Sequence, residues 1–253
     1  MAYRSALITG ASGGIGEAFA NALPGATGLL LTGRDETRLA EVAAASAAAP
    51  GRRVETLAAD LATAEGRHAV VRAAEAAEVD LFICNAGFGH AGRFGATDAS
   101  IERALIAVNV MAAAELLHAL LPGIAERARR TDRRGGVIVV SSAVALGPSP
   151  HLATYGAAKA FQLHLTRSLA REFSGEAIDF LALCPTYTRT GFFARAGMPP
   201  PPVAMSPAAV AREGLAALGR RRLHLCGSGL LPQSLRQFLA FNRALDPRAW
   251  RRS

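Results

Sequence analysis

Six runs of continuous apolar, β-rich sequence alternate with alanine-rich segments of helical period, and this alternation restricts the chain to few architectures. The runs are "ALITG" (6–10), "GLLLTG" (28–33), "RVETLA" (53–58), "DLFICNAG" (80–87), "GVIVVSS" (136–142) and "IDFLALCP" (178–185). Helices are predicted between them near 15–23, 35–48, 63–78, 100–128 and 152–174. Strands without a polar face must be covered on both sides, as in a parallel sheet. Repeated βα units with right-handed crossovers predict a doubly wound α/β sheet whose ligand crevice lies at the C-terminal ends of the strands. Sites are therefore expected where strands stop.

After Pro185 the pattern loosens, and four consecutive prolines (199–202) rule out a helix there. Residues 186–206 are expected to form a substrate lid. A helix near 207–219, a short strand at "RLHLC" (222–226) and a last amphipathic helix near 230–244 bring the count to about seven strands in one domain over 1–253.

A hydrophobic share of 51% over 253 residues is ample for one buried core. The net charge of +8 is spread out; only "RARRTDRR" (127–134) and "RRR" (220–222) cluster, without interleaved aromatics. They read as solvated surface, so no nucleic-acid partner is expected. Cys84, Cys184 and Cys226 follow apolar runs and lack ligand spacing, which fits packed, reduced thiols in a cytoplasmic protein. "MAYRSALITG" runs directly into the first strand, so no signal peptide is expected. The apolar run 104–121 is interrupted by Asn109, Glu115 and His118 and reads as a buried helix rather than an integral membrane segment. Dispersed histidines without HExxH give no metal site, and "VVSSAV" lacks the G-x-S-x-G elbow of a hydrolase.

"TGASGGIGEAF" (9–19) leaves the first strand and opens the first helix. Gly10, Gly14 and Gly16 permit a tight turn and the approach of a pyrophosphate to the amides at the helix N-terminus. The second strand ends in "LTGRDETRL", where Gly33 offers no acid for a ribose 2′-hydroxyl. Arg34 suits a 2′-phosphate and the adenine face, so NADP is preferred over NAD. Asp35 reads as the N-cap of the next helix.

"YGAAK" places Tyr155 and Lys159 at i and i+4, on one helix face. Lys159 is the one lysine among 28 basic residues. A phenol with pKa ~10 is a poor proton shuttle at neutral pH, and lowering it by ~3 units takes about 4 kcal/mol. An ammonium ~4 Å away at an effective dielectric of ~20 contributes on that order. Lysine also has the compact, flexible head that arginine lacks.

With "TGASGGIG", Asp60 closing "ETLAAD", "NAG" (85–87), "VNV" around Asn109, "VVSS" ending at Ser142, and "YGAAK" in this order, the chain resembles the short-chain dehydrogenase/reductase family over about the first 190 residues. The resemblance implies that Tyr155 is the general acid/base, Lys159 its activator, Ser142 (thirteen residues before the tyrosine, hence not Ser141) the carbonyl-oxygen donor, and Asn109 part of a proton relay. It implies a dinucleotide held by Gly10, Ser12, Gly13, Gly14, Ile15 and Gly16, by Arg34, by Asp60 and Leu61 near the adenine, and by Asn85, Ala86 and Gly87 near the ribose. Tyr155, Lys159, Pro185, Thr188 and Thr190 complete that set, with Thr190 toward the carboxamide and phosphates. Thr186 stands where the family has a glycine. The implied reaction is hydride transfer between nicotinamide and a carbonyl or alcohol substrate, in a homodimer or homotetramer formed by the 102–121 and Tyr155 helices. His90, Phe94, Leu146, Phe192, Phe193, Met198 and Met205 are candidate apolar pocket or lid residues, pointing to a hydrophobic ketone or aldehyde, and His151 is a further candidate. The rival reading is a nucleotide-sensing binding protein on the same fold, separated from an enzyme by turnover.

Overall fold

In the computed structural model, which describes residues 3–227, each of the six apolar runs forms a strand. These are β1 (Ser5–Thr9), β2 (Gly28–Gly33), β3 (Val54–Ala58), β4 (Leu81–Cys84), β5 (Gly135–Val140) and β6 (Ile178–Cys184); the short edge strand β7 is Leu223–Leu225. They pair in parallel in the order β3-β2-β1-β4-β5-β6-β7. Every residue of β4, β5 and β6 is buried, as continuous apolar sequence requires.

Side chains alternate across the sheet into two cores. Ile8, Leu31, Ile83, Ile138 and Leu183 face the side covered by α1 (Gly14–Ala22), α2 (Glu36–Ser46) and α8 (Pro207–Ala217), through Phe19, Leu39 and Val210. Leu7, Leu30, Phe82, Val137 and Phe180 face the side covered by α3 (Ala64–Ala76), α5 (Ala113–Thr131) and α6 (Ala153–Glu172). Between the two layers the chain reverses strand order at β1/β4, which opens a crevice where β1, β4 and β5 end.

Two boundaries differ from expectation. β4 stops at Cys84, short of Gly87, because the amides of Asn85 and Ala86 both donate to Thr9 Oγ1 (3.0 Å each) at the end of the neighbouring strand. The helix expected at 100–128 spans Ala99–Thr131, as α4 (Ala99–Ile106), a π turn over Ala107–Ala112, and α5. That tract is long and apolar enough to cross a membrane, and its Leu116, Leu117, Leu120, Leu121 and Ile124 pack in the core. The three cysteines are free and buried. The amphipathic helix expected at 230–244 lies outside the described residues.

Candidate active site

The turn from β1 to α1 is shaped by what glycine alone allows. Gly10 sits at φ +66°, and a Cβ there would lie 2.9 Å from Ala86 Cα; at Gly16 it would lie 2.2 Å from the Gly10 carbonyl. Helix α1 begins after Gly13, which offers no side-chain cap, so no side chain satisfies its first-turn amides among the described residues. Gly10, Gly13, Gly14 and Ile15 line that crevice, and Thr190 Cγ2 would lie 3.1 Å from a Cβ on Gly14. This uncapped, side-chain-free cradle fits a pyrophosphate.

Ser12, Arg34, Asp60 and Leu61 sit beside the crevice, near the ends of β2 and β3, and are not part of its lining. A Cβ on Gly33 would lie 3.1 Å from Ser12 Oγ, so this strand end adjoins the glycine turn. Arg34 is exposed and has no ion-pair partner among the described residues. Asp35 caps α2 as expected, accepting from Arg38 N (3.0 Å). Asp60 accepts from Ala62 N (2.9 Å), and Leu61 is buried. Asn85 Nδ2 donates to the carbonyls of Thr9 (2.9 Å) and Gly10 (3.1 Å), locking the turn to β4, while Ala86 and Gly87 form the crevice floor.

The structure separates the two adjacent serines. Ser141 Oγ is buried and donates to the Lys159 carbonyl (2.7 Å), whereas Ser142 caps a 3₁₀ turn over Ala143–Leu146 and borders the crevice next to Tyr155. Tyr155 and Lys159, on successive turns of α6, are 9% and 5% exposed. Together with Ser142, Gly87, Pro185, Thr188 and Thr190 they line one cavity of about 240 Å³.

The electrostatics correct the sequence argument. Burial pushes the Tyr155 phenol up to about 12, and a hydrogen bond with Ser142 offsets only part of that rise. Burial pushes the Lys159 ammonium down to about 8. Lys159 Nζ does not point at the phenol: it donates to the Val140 carbonyl (2.8 Å) and to Gln162 Oε1 (2.9 Å), and lies 5.8 Å from the Tyr155 ring centre. Desolvation of the phenol therefore outweighs the charge that was expected to lower its pKa.

Asn109 lies behind the cavity, in the π turn. Its Nδ2 donates to the Phe88 carbonyl (2.8 Å), and its own carbonyl accepts from Gln162 Nε2 (2.8 Å). Asn109 Oδ1 is buried without a partner among the described residues and sits directly under Gly87, where a Cβ would be 2.3 Å away. The backbone carbonyl of Asn109, the residue for which a relay role is implied, is thus joined to Lys159 through Gln162. Sequence reading missed Gln162. The signal was present: Tyr155, Lys159 and Gln162 fall at i, i+4 and i+7, a polar stripe on the buried face of α6.

The other end of the cavity is apolar. Val144, Leu146, Leu152, Phe192, Phe193 and Met198 line it. Phe192 stacks on the catalytic candidate Tyr155 with centroids 5.1 Å apart and meets Phe193 edge-on at 5.5 Å. Gly89 makes room for this pair, since a Cβ there would be 2.7 Å from Phe192 Cζ. Segment 186–206 covers the cavity with a helical turn, α7 (Phe192–Arg195), and is tied down by Met205 N to the Tyr187 carbonyl (2.8 Å) and Ala91 N to the Ala196 carbonyl (2.9 Å). Thr186 turns its hydroxyl to the Cys226 carbonyl (3.4 Å). His90, Phe94, His151 and Met205 do not line the cavity; Phe94 is 65% exposed and Met205 belongs to the core. Away from it, Glu213 accepts from His224 Nε2 (2.8 Å) and Gly227 N (3.3 Å), tying β7 to α8.

The sequence profile of the short chain dehydrogenase family matches residues 4–198. The chain belongs to this family. Among its relatives, the "Inactive hydroxysteroid dehydrogenase-like protein 1" of Rattus norvegicus is 30% identical over 85% of this chain. The chain spans only 58% to 66% of the length of the mammalian proteins of that name. An "Uncharacterized oxidoreductase" of Myxococcus xanthus is 32% identical over 79% of this chain and 78% of its own. A short-chain dehydrogenase from Sphingobium yanoikuyae, solved with NADPH, superposes with a TM-score of 0.77 at 30% identity, covering 93% of this chain and 94% of that one. The seven-stranded parallel sheet and its crevice are thus those of the short-chain dehydrogenases.

Proposed function

We propose that this chain is an NADP(H)-dependent oxidoreductase that transfers a hydride between nicotinamide C4 and a carbonyl or secondary alcohol, working as a reductase of hydrophobic ketones or aldehydes. The observation that carries this reading is the convergence of Ser142, Tyr155 and Lys159 on one cavity, with an uncapped glycine cradle at one end and apolar walls at the other. The bound nicotinamide supplies the hydride. Ser142 holds the carbonyl oxygen by its hydroxyl, and Tyr155 delivers the proton to that oxygen. A phenol held near 12 is protonated at neutral pH, which suits reduction; alcohol oxidation needs the phenolate and gains as pH rises. Phe192, Phe193, Leu146 and Met198 exclude water and favour an apolar substituent on the carbonyl carbon.

A 340 nm assay with NADPH against hydrophobic ketones, aldehydes and quinones tests this directly. The relatives named inactive motivate a second reading, an NADP(H)-sensing binding protein. Tight dinucleotide binding without turnover across the panel supports that alternative, and failure to bind either dinucleotide removes both.

Arg34, exposed after β2 and without an ion-pair partner among the described residues, supports NADP over NAD. Losing its charge-assisted hydrogen bonds to a 2′-phosphate costs about 1.5–3 kcal/mol. Arg34→Ala is therefore expected to weaken NADPH binding ~10–100-fold with NADH affinity unchanged. Equal losses for both dinucleotides in fluorescence titrations refute the assignment.

Exposed Phe94 and Ile106, with Val110, Ala153 and Ala157, border a shallow apolar depression across α4 and α6. This face supports a homodimer or homotetramer. Light scattering is expected to show a multimer for the unaltered chain and a monomer for Ala157→Arg; a monomer in both cases contradicts the proposal.

A further inference from the structure

Gln162 has no role in the reading above, yet it is the closest side-chain partner of the ammonium that the reading depends on. It is 1% exposed on the face of α6 that also carries Tyr155 and Lys159. Its amide orientation is fixed by its partners: an ammonium only donates and a carbonyl only accepts, so Oε1 faces Lys159 Nζ (2.9 Å) and Nε2 faces the Asn109 carbonyl (2.8 Å). The π turn over Ala107–Ala112 is wider than an α turn and leaves the Asn109 carbonyl open to this lateral donor. Thr166 Oγ1 donates to the Gln162 carbonyl (2.7 Å), adding a further turn of α6 to the network.

We propose that Gln162 is the positioning residue for Lys159, fixing the ammonium between β5 and α6 and stabilising its charged form from the side opposite the substrate. The inference rests on the oxidoreductase reading for its catalytic meaning, but its structural content stands apart from turnover. Lys159 has few other sources of stabilisation. The titratable groups that face it are the Cys84 thiol from β4, the Cys184 thiol from β6 and the Tyr155 phenol on its own helix, and no salt bridge to it occurs among the described residues. Burial disfavours the ammonium, so each acceptor oriented toward it weighs heavily. With Val140 and Gln162 each accepting one hydrogen bond, Lys159 has a third N–H left to direct into the cavity. A carboxamide does not titrate in the working range, so Gln162 anchors the ammonium without drawing its proton away.

Because Lys159 is the only lysine in the chain, lysine labelled with ¹³C at the ε-carbon gives one resonance and reads its titration directly, with or without activity. Gln162→Leu removes both hydrogen-bonding atoms at similar volume and is expected to lower the midpoint by about one pH unit, since less stabilisation of the ammonium means earlier deprotonation. Gln162→Glu places a carboxylate at the same contact and is expected to raise the midpoint. Shifts in opposite directions at constant size are not what a merely structural residue produces. In turnover, the alkaline limb of kcat is expected to follow the same two directions while KM for the carbonyl stays constant. A midpoint unmoved in the leucine variant overturns the proposal; should that variant not fold, an unmoved midpoint in Gln162→Glu overturns it instead. If the unaltered protein reduces no carbonyl, the oxidoreductase reading falls and the resonance still decides the place of Gln162.

Discussion

Tyr155→Phe is expected to lower kcat for NADPH-dependent carbonyl reduction by ~10²–10⁴-fold, the usual range for loss of a positioned general acid, while dinucleotide affinity changes far less. Removing the hydroxyl leaves the ring, and the ring is what packs: it stacks on Phe192 at 5.1 Å and closes a small cluster with Leu105, Leu152 and Ala158. The cavity shape and the fold are therefore retained, and the change falls on proton delivery. Ser142 borders the same cavity, but its partners among the described residues, the Tyr155 phenol and the Val144 amide, do not make it an acid of comparable strength. The paired readouts are initial rates at 340 nm and NADPH fluorescence on one preparation. Loss of rate with binding intact assigns the proton to Tyr155. A variant that keeps more than about a tenth of the rate shows that the proton comes from elsewhere, because general acid catalysis is worth at least ~10²-fold.

The sheet was legible because its information is local. Unbroken apolar runs such as "LFIC" and "VIVV" admit no polar face, and the glycines after β1 have to turn toward a helix. What could not be read depends on contacts between distant residues. β4 ends early because Thr9, 76 residues away, captures the amide of Asn85. Nothing in "AVNVMA" marks a π turn, which is held in place by Gln162 from another helix. The i, i+4 spacing placed Lys159 near Tyr155 but not the direction of its head. With Nζ drawn to Val140 and Gln162, the charge stays off the phenol and burial decides the sign of the shift. Among the apolar candidates, Phe192, Phe193 and Met198 reach the cavity because the covering segment folds back over it and Leu146 reaches it from the 3₁₀ turn after β5, whereas Phe94 and Met205, equally apolar in sequence, face solvent and core. Hydrophobicity selects burial; it does not select which cavity.

Lys159→Arg separates charge from shape at the one position where this arginine-rich chain uses lysine. Nζ fits between the Val140 carbonyl at 2.8 Å and Gln162 Oε1 at 2.9 Å, and lies 3.3 Å from where a Cβ on Gly87 would be. A planar guanidinium keeps the charge but is wider and needs acceptors in its own plane, so it does not reproduce the fit of a compact head between these two acceptors. Overpacking of this kind costs about 1–3 kcal/mol, which in a domain of this size lowers Tm by roughly 2–4 °C per kcal/mol. Displacing the head by an ångström also costs ~10²-fold in rate. Lys159→Arg is therefore expected to lose ~10²-fold or more in kcat/KM together with several degrees in Tm. Lys159→Met, which matches the length without the charge, is expected to lose a comparable share of rate while keeping the fold. If the arginine variant works at near the original rate, a positive charge alone suffices and the lone lysine among 28 basic residues is an accident of composition. If arginine fails as badly as methionine, the compact head is the requirement, and its two acceptors, Val140 and Gln162, are part of the active site.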